Sequence, residues 1–441
     1  MIRRILLLGF LFIFSNCLII PYLFRGSAPL IIGLFIVAFL GFIIFNITPR
    51  FMKDSFKRFE VLMDGRELLV IALVLFFADL FFAIFFLPKM GYKPGAILFG
   101  ESIALGVLFI TTFNGVLRII GASTQMSILM KLILFLTWWI PLINFFVCWR
   151  CCRIARREYV FERYKDELNE KRKDSDVCKT KYPLLMVHGI FWRDWQFFNY
   201  WGRISKELLR NGAVVYYGNQ QSAAPMEVCA SELKEQILRI IETEHCEKVN
   251  IIAHSKGGLD ARYAISCQGA APYVASLTTV GAPHRGCGLV DLAMRKIPEA
   301  VMSTLAKGYN AMYRKLGDKD PDLISGIKDL TTEQCALFND RVADQKGVLY
   351  QSVASKMSGF SSAGFPLNVG YAVLRRTDGE NDGFVSVESS KWGRFLGCYE
   401  TGGRRGVSHG DTIDLTRKNI KGFDACECYV DIVKGLKGQG L

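Results

Sequence analysis

The sequence predicts an α/β fold, with a mostly parallel sheet covered by helices, preceded by an all-α transmembrane helical domain. Nearly all the long apolar runs of the 441-residue chain lie in residues 1–148. Residues 149–181 are densely charged, and from residue 182 onwards short apolar runs alternate with segments of helical period. Short, doubly buried strands separated by helices are typical of a parallel sheet with helices on both faces.

Five apolar segments in the first part are long enough to cross a bilayer, which takes about 20 residues. They predict four or five spans at Ile5–Tyr22, Pro29–Ile47, Leu68–Leu87, Gly95–Leu117 and Ile128–Cys148. The first could instead be a signal peptide, but a second apolar run follows at once without a cleavage pattern, so we predict a retained span. Asp79 and Glu101 fall inside spans, where a carboxylate either serves a function or pairs with a neighbouring helix.

Charge and cysteine content bear on location. The net charge of +13 is better explained by the basic flanks of the spans than by nucleic-acid binding. The basic loop 48–66 and the basic segment after residue 149 should both lie inside, yet three candidate spans separate them. Either Gly95–Leu117 is re-entrant or one loop breaks the rule. We predict a multi-pass protein of a bacterial cell membrane with a cytoplasmic C-terminal part, and 13 cysteines without a disulfide or zinc pattern fit that side.

The charged segment and the α/β part follow in order. Residues 149–181 carry Glu alternating with Lys or Arg at helical spacing, which predicts a solvated helical linker before the domain 182–441. The predicted strands are Tyr182–Val187, Ala213–Tyr217, Val249–Ala253, Val274–Val280 and Phe384–Val387. The predicted helices are Phe198–Leu209, Cys229–Glu242 and Gly258–Ser266.

A sharp strand-to-helix turn carries the strongest chemical signal. The run Ala253-His254-Ser255-Lys256-Gly257 fits the nucleophile elbow G-x-S-x-G, with Ala in the first position. Such a turn requires small residues two before and two after the serine. It exposes the serine hydroxyl at the end of the sheet and directs a helix N-terminus towards it, which stabilises negative charge there. Ser255 is therefore the candidate nucleophile.

A serine nucleophile needs a base, an acid that orients the base, and donors for the oxyanion. In the order Ser, acid, His that goes with this elbow, His409 is the only histidine of the five that lies in the C-terminal third. Asp382 precedes a predicted strand and is a candidate acid, with Asp378 and Asp340 as competitors. The oxyanion donors should be the backbone N–H groups of Lys256 and of the loop His188-Gly189-Ile190.

At this point the motifs resemble those of the bacterial triacylglycerol lipases of the Pseudomonas and Burkholderia type. The matching stretches are YPLLMVHGIF, YWGRI, KVNIIAHSKGGLDARY, VASLTTVGAPHRG and ENDGFVSVESSKWG, in that order, and the resemblance covers about residues 182–436. It implies an α/β-hydrolase fold that cleaves lipid esters through an acyl-enzyme. It also implies Asp382 as the triad acid, His409 as the base, and Ile190 as the second oxyanion donor.

The chain departs from that family at three positions. Ala253 begins the elbow where the family usually has Gly. The family's calcium is bound by the aspartate of a His-x-Asp loop and a second aspartate; Asp411 matches the first, but residues 356–370 contain no aspartate. Glu388 stands where the family's disulfide would need a cysteine. We therefore predict no metal and no other cofactor, with calcium doubtful.

The remaining predictions concern the substrate. His188, Gly189, Trp192 and Trp195 are candidates for substrate binding, the two tryptophans as the lining of an acyl groove. The near-helical apolar spacing of Ile297–Leu316 fits either a lid over the site or an ordinary packed helix.

The function predicted is that of a membrane-embedded serine hydrolase of lipid carboxylic esters, with a lipid ester and the bilayer as partners and no nucleic acid; the oligomeric state is left open. On the same scaffold a phospholipase, a lipid-anchor deacylase or an acyltransferase remain alternatives. The alternative of another class, motivated by Asp79 and Glu101, is a membrane scaffold or transport protein with a non-catalytic hydrolase unit.

Overall fold

A computed structural model describes residues 2–24, 27–47, 57–137, 139–191 and 200–441 of the chain. The chain divides into two compact units, Met1–Leu168 and Asn169–Leu441, and each is described by itself. The division falls within the segment 149–181. Residues 48–56 of the predicted basic loop, and Trp192 and Trp195, lie outside the described residues.

The first unit is built from apolar helices. They are α1 (Ile2–Ser15), α2 (Ile19–Leu23), α3 (Ala28–Ile47), α4 (Arg58–Phe85), α5 (Pro94–Ala122), α6 (Ile128–Thr137) and α7 (Pro141–Lys171). Each predicted span coincides with a helix, but the first and the last are each divided into two. Within the described residues, α4 and α5 alone are long and apolar enough to cross a membrane.

The first unit has apolar side chains both in its interior and on its surface. Large apolar side chains such as Phe81 and Leu105 are more than half exposed, whereas Asp79 is buried. Its Oδ1 accepts hydrogen bonds from Ser15 Oγ (2.9 Å) and Asn16 Nδ2 (2.5 Å), at the break between α1 and α2. The Asp79 carboxyl group thus pairs with a neighbouring helix, the simpler of the two alternatives for it.

Part of the segment 149–181, predicted to be a solvated helical linker, is buried within the first unit. Helix α7 continues to Lys171, and Glu158 is buried within it. This carboxylate accepts hydrogen bonds from Ser123 Oγ (2.7 Å) and Thr124 N (2.9 Å), and it pairs with Arg58 (2.5 Å). Alternating charges at helical spacing look the same in sequence whether water or a neighbouring helix neutralises them. For Glu158 the neutralising charge is that of Arg58, on helix α4.

The second unit contains a six-stranded sheet in which all neighbouring strands are parallel. Its strands are β1 (Leu184–Val187), β2 (Val215–Tyr217), β3 (Val249–His254), β4 (Val274–Val280), β5 (Leu349–Ser355) and β6 (Arg394–Tyr399). Their order across the sheet is β2-β1-β3-β4-β5-β6. The predicted α/β fold with a parallel sheet is confirmed.

Ten helices are described in this unit, and they surround the sheet. They are α8 (Ile204–Arg210), α9 (Met226–Glu244), α10 (Gly257–Ser266), α11 (Gly288–Lys296), α12 (Glu299–Lys315), α13 (Leu323–Lys328), α14 (Thr332–Arg341), α15 (Leu367–Thr377), α16 (Val387–Ser390) and α17 (Ala425–Gly438). The predicted strand Phe384–Val387 is wrong, because these residues form the loop after Asp382 and the first residue of α16.

Alternate residues of the central strands bury themselves on opposite faces of the sheet. On one face Met186 and Ile252 pack with Tyr429 of α17; on the other Leu185 and Ile251 pack with α9 and α10. Each fully buried aliphatic side chain contributes about 1.5–3 kcal/mol. Because helices cover both faces of the sheet, functional side chains can meet in the loops that follow the strands.

Candidate active site at the ends of β3, β4 and β5

The turn after β3 holds Ser255 in a left-handed conformation, with φ of 54°. Its N–H donates to the carbonyl oxygen of Val280 at the end of β4 (3.1 Å), which keeps the turn against the sheet. A Cβ on Gly257 would overlap the carbonyl oxygen of His188, so only glycine fits two residues after the serine. A non-glycine residue with positive φ costs about 1–2 kcal/mol, so the turn is held by the contacts around it.

An acid and a histidine are paired beside this turn. Asp382 Oδ2 lies 2.8 Å from His409 Nδ1, and the backbone N–H of His409 donates to the carbonyl oxygen of Asp382 (2.9 Å). The other carboxylate oxygen accepts the N–H groups of Phe384 (2.9 Å) and Val385 (2.8 Å). With Nδ1–H held by a buried carboxylate, His409 has Nε2 available as a proton acceptor.

Backbone geometry places the three predicted triad residues at one edge of the sheet. The His409 ring lies 4.4 Å, centroid to centroid, from the ring of His254, which precedes Ser255. A Cβ on Gly281, just after β4, would lie 3.3 Å from His409 Nδ1 and 3.4 Å from Asp382 Oδ2. The competing acids lie elsewhere, since Asp378 borders Gly288 and Asp340 lies on α14.

A hydrogen-bond chain that the sequence did not predict joins the two sides of this turn. The N–H of Gly189 donates to Tyr200 Oη (2.9 Å), which lies 2.7 Å from His254 Nδ1. On the other side of the ring, His254 Nε2 lies 3.0 Å from Thr412 Oγ1, whose hydroxyl donates to the carbonyl oxygen of His409 (2.7 Å).

The partners fix the protonation state of His254. Because the Thr412 hydroxyl donates to His409, Nε2 of His254 must carry the proton, and Nδ1 accepts from Tyr200. Burial, and secondarily the nearby His409, hold the pKa of His254 well below its usual range. A neutral His254 therefore braces the loop of Gly189 against the loop of His409. Tyr200 lies in the YWGRI stretch and Thr412 three residues after His409, but no periodicity reveals their contact.

Two backbone N–H groups near Ser255 are available to a ligand. Those of Ile190 and Lys256 donate no hydrogen bond to any described residue, whereas their neighbours Gly189, Phe191 and Ser255 all donate one. A Cβ on Gly189 would lie 2.8 Å from Ser255 Cβ, so the first loop directly adjoins the serine.

The side chain of Lys256 points into the protein instead. Its Nζ forms a buried ion pair with Asp260 one helical turn further on (2.6 Å).

The predicted substrate-binding residues differ in how the structure places them. The His188 side chain is fully buried, with Nε2 3.0 Å from the carbonyl oxygen of Gln220, so it supports the loop and its ring is not open to a substrate. Gly189 adjoins Ser255 as described. Trp192 and Trp195 lie outside the described residues, so the acyl groove predicted for them stays a prediction.

The helix predicted over Ile297–Leu316 begins two residues later, as α12. Its buried Tyr313 donates a hydrogen bond to the carbonyl oxygen of Phe191, next to Ile190, while Val301, Leu305 and Met312 are about half exposed. The helix thus contacts the loop of Ile190 and Phe191 with one face and exposes an apolar row on the other. This arrangement combines features of both alternatives, a packed helix and a lid.

The residues present do not fit a calcium ion at Asp411. Both carboxylate oxygens are hydrogen-bonded: Oδ1 accepts from Arg405 Nη2 (2.8 Å), and Oδ2 accepts from Ser408 N (3.0 Å) and Oγ (2.7 Å). Nor does any group of three or more His, Cys, Asp or Glu side chains suitable for a metal occur among the described residues. A cationic guanidinium on the carboxylate opposes binding of a second cation there.

The chain was compared with known proteins. No protein-family model matches it. It is 32% identical over 173 residues to a triacylglycerol lipase of Pseudarthrobacter phenanthrenivorans, covering 36% of this chain and 53% of that one. It is 27% identical over 298 residues to a triacylglycerol lipase of Pseudomonas fragi, covering 60% of this chain and 99% of that one. The first two curated relatives are each matched over about half of their length.

Among solved structures, a Bacillus licheniformis lipase in mature form is similar with a TM-score of 0.44 and 23% identity, over 58% of this chain and 92% of that one. The sequence relatives support an α/β-hydrolase of the lipase and esterase type, in agreement with the parallel sheet and the elbow after β3.

Proposed function

We propose that the chain is a membrane-embedded serine hydrolase that cleaves carboxylic esters of lipids, with Ser255, Asp382 and His409 as its catalytic triad. The observation that carries the proposal is the buried Asp382–His409 pair, which adjoins a serine held in a left-handed turn between β3 and α10. These are the orienting acid, base and nucleophile that acyl transfer requires.

The proposed reaction proceeds in two acyl transfers. Ser255 Oγ attacks the ester carbonyl carbon while His409 Nε2 takes the hydroxyl proton. The tetrahedral oxyanion accepts hydrogen bonds from the N–H groups of Lys256 and Ile190, each worth about 3 kcal/mol in such a site. His409 then gives its proton to the departing alcohol, which leaves an acyl-enzyme. Water, deprotonated by the same histidine, releases the fatty acid and restores the hydroxyl of Ser255.

The first unit supports the membrane part of the proposal. Many of its large apolar side chains are exposed, Asp79 accepts hydrogen bonds from Ser15 and Asn16 within the unit through one carboxylate oxygen, and α4 and α5 each exceed the roughly 20 residues that a crossing needs. We propose that this unit is a multi-pass anchor that keeps the hydrolase where lipid substrates reside, with the second unit in the cytoplasm. Accessibility labelling of single cysteines introduced at exposed positions near the end of α7, in intact and permeabilised cells, tests the side.

The catalytic proposal is tested by Ser255→Ala in the full-length protein. The variant should lose ester hydrolysis and labelling by a fluorophosphonate, because both require the attacking hydroxyl. Ser266→Ala, at the far end of the helix that follows Ser255, is the matched control and should keep both. Full hydrolysis by Ser255→Ala would refute the triad and would favour the scaffold or transport alternative. Activity on a panel of glycerolipids, phospholipids and acylated peptides then separates lipase from phospholipase, deacylase and acyltransferase.

A further inference from the structure

The strongest unassigned feature is the anchoring of the loop that carries His409. Asp411, two residues after the histidine, is buried and accepts hydrogen bonds from the loop itself through both carboxylate oxygens. Oδ2 of Asp411 accepts hydrogen bonds from the N–H and the hydroxyl of Ser408, and Oδ1 accepts one from Nη2 of Arg405. The ion pair between Arg405 and Asp411 thus joins the two ends of the segment 405–411, which contains His409.

Arg405 also ties this loop to the chain that follows β5. Its Nε donates to the carbonyl oxygen of Ser362 (3.1 Å), and its own carbonyl oxygen accepts the N–H of Ser358 (3.4 Å). That same chain reaches the acid, because the N–H of Met357 donates to the carbonyl oxygen of Asn381 (2.8 Å), the residue before Asp382. One guanidinium therefore connects the loop of the histidine with the segment that supports the acid.

We propose that Arg405 is a positioning residue for His409, and that its guanidinium supplies the positive charge that the resembled lipases obtain from calcium. A guanidinium is permanently protonated and presents two N–H groups in a fixed plane, so it neutralises Asp411 without any ion that could dissociate. No carboxylate occurs in residues 356–370 to complete a metal site. The inference rests on the proposed function, because it takes His409 as the general base.

The experiment compares Arg405→Gln, Arg405→Lys and the control Arg404→Gln in the purified full-length protein. Arg404 is the exposed neighbour and forms no ion pair with the residues that the structure describes. On a short p-nitrophenyl ester, Arg405→Gln should lower kcat about tenfold or more, the effect of losing a charge-assisted hydrogen bond. KM should change less than about twofold, because the ester-binding surface is intact. Lysine should restore part of kcat, and Arg404→Gln should leave it unchanged.

Calcium provides an independent readout. The Tm of the Ser255→Ala variant, in which catalysis plays no part, should be the same in excess EGTA and in millimolar CaCl2. A calcium-dependent rise in Tm, or an Arg405→Gln variant with the kcat of Arg404→Gln, would overturn the inference and leave the proposed triad standing. Undiminished labelling of Ser255→Ala would instead overturn the proposed function, so the two failures are distinguishable.

Discussion

Thr412→Val tests the hydrogen-bond chain through His254, because it replaces one hydroxyl by a methyl group of nearly the same shape. The hydroxyl accepts from His254 Nε2 (3.0 Å) and donates to the carbonyl oxygen of His409 (2.7 Å), and all three groups lie in the protein interior. The variant therefore removes two hydrogen bonds and leaves a buried N–H without a partner.

The expected loss of stability follows from these two contacts. The hydrogen bond to His409 contributes about 1 kcal/mol, and an unsatisfied buried N–H costs about 1–3 kcal/mol, so the free energy of unfolding should fall by about 2–4 kcal/mol. For a unit of this size that corresponds to a drop in Tm of roughly 5–15 °C. Because the carbonyl oxygen of His409 loses its donor, kcat should fall as well, by about tenfold.

The assay is thermal unfolding of the purified full-length protein in detergent, followed by near-UV circular dichroism, together with ester hydrolysis. Thr412→Ser keeps the hydroxyl and should stay close to the wild type. Thr416→Val makes the same change at an exposed position with no side-chain hydrogen bond to a described residue, and it should have no effect. If Thr412→Val matches Thr416→Val in both Tm and kcat, the chain through His254 does not brace the two loops.

Three further predictions concern the acid, the turn and pH. Asp382→Asn should lower kcat by about four orders of magnitude with little change in Tm, because the amide stabilises the wrong tautomer of His409; steady-state kinetics measures it, and a loss below about tenfold would contradict the role. Gly257→Ala should prevent folding or shift the elbow, because its Cβ overlaps the carbonyl oxygen of His188; soluble expression and fluorophosphonate labelling report this, with Gly435→Ala, where a Cβ has open space, as control. Burial holds the pKa of His254 and of His284 well below the usual range, so the folded state keeps both neutral while the unfolded chain binds protons near pH 6.5. The two neutral histidines contribute their full stabilisation above about pH 6.5. The free energy of unfolding falls as the pH is lowered, by about 1.4 kcal/mol per histidine at one pH unit below 6.5. A Tm that is flat or rises on acidification would contradict this.

The parts of the structure that the sequence predicts are those set by local patterns. Short apolar runs separated by helices predict a parallel sheet, since such strands bury both faces, as Leu185 and Met186 do on opposite sides of β1. The elbow is equally local, because the turn around Ser255 requires small neighbours.

The parts that sequence reasoning missed depend on contacts between distant residues. Tyr200 and Thr412 reach His254 from 54 and 158 positions away, and their residue types alone do not indicate a shared partner. The sequence predicts that the charges near Glu158 are solvated, whereas the structure places Arg58 and Ser123 beside this carboxylate. The apolar residues 384–387 read as a strand, but the N–H groups of Phe384 and Val385 are used on the carboxylate of Asp382.

The chain between β4 and β5 has a consequence for how such an enzyme can diversify. Four helices, α11 to α14, are inserted there, and the two strands nevertheless pair directly, from Ser276 with Leu349 to Val280 with Val353. Because β4 and β5 pair directly, the insert can lengthen, shorten or be exchanged between relatives without altering the hydrogen bonds between these two strands. Exchanging this segment therefore changes what lies beside the loop of Phe191 while β4 and β5 stay paired.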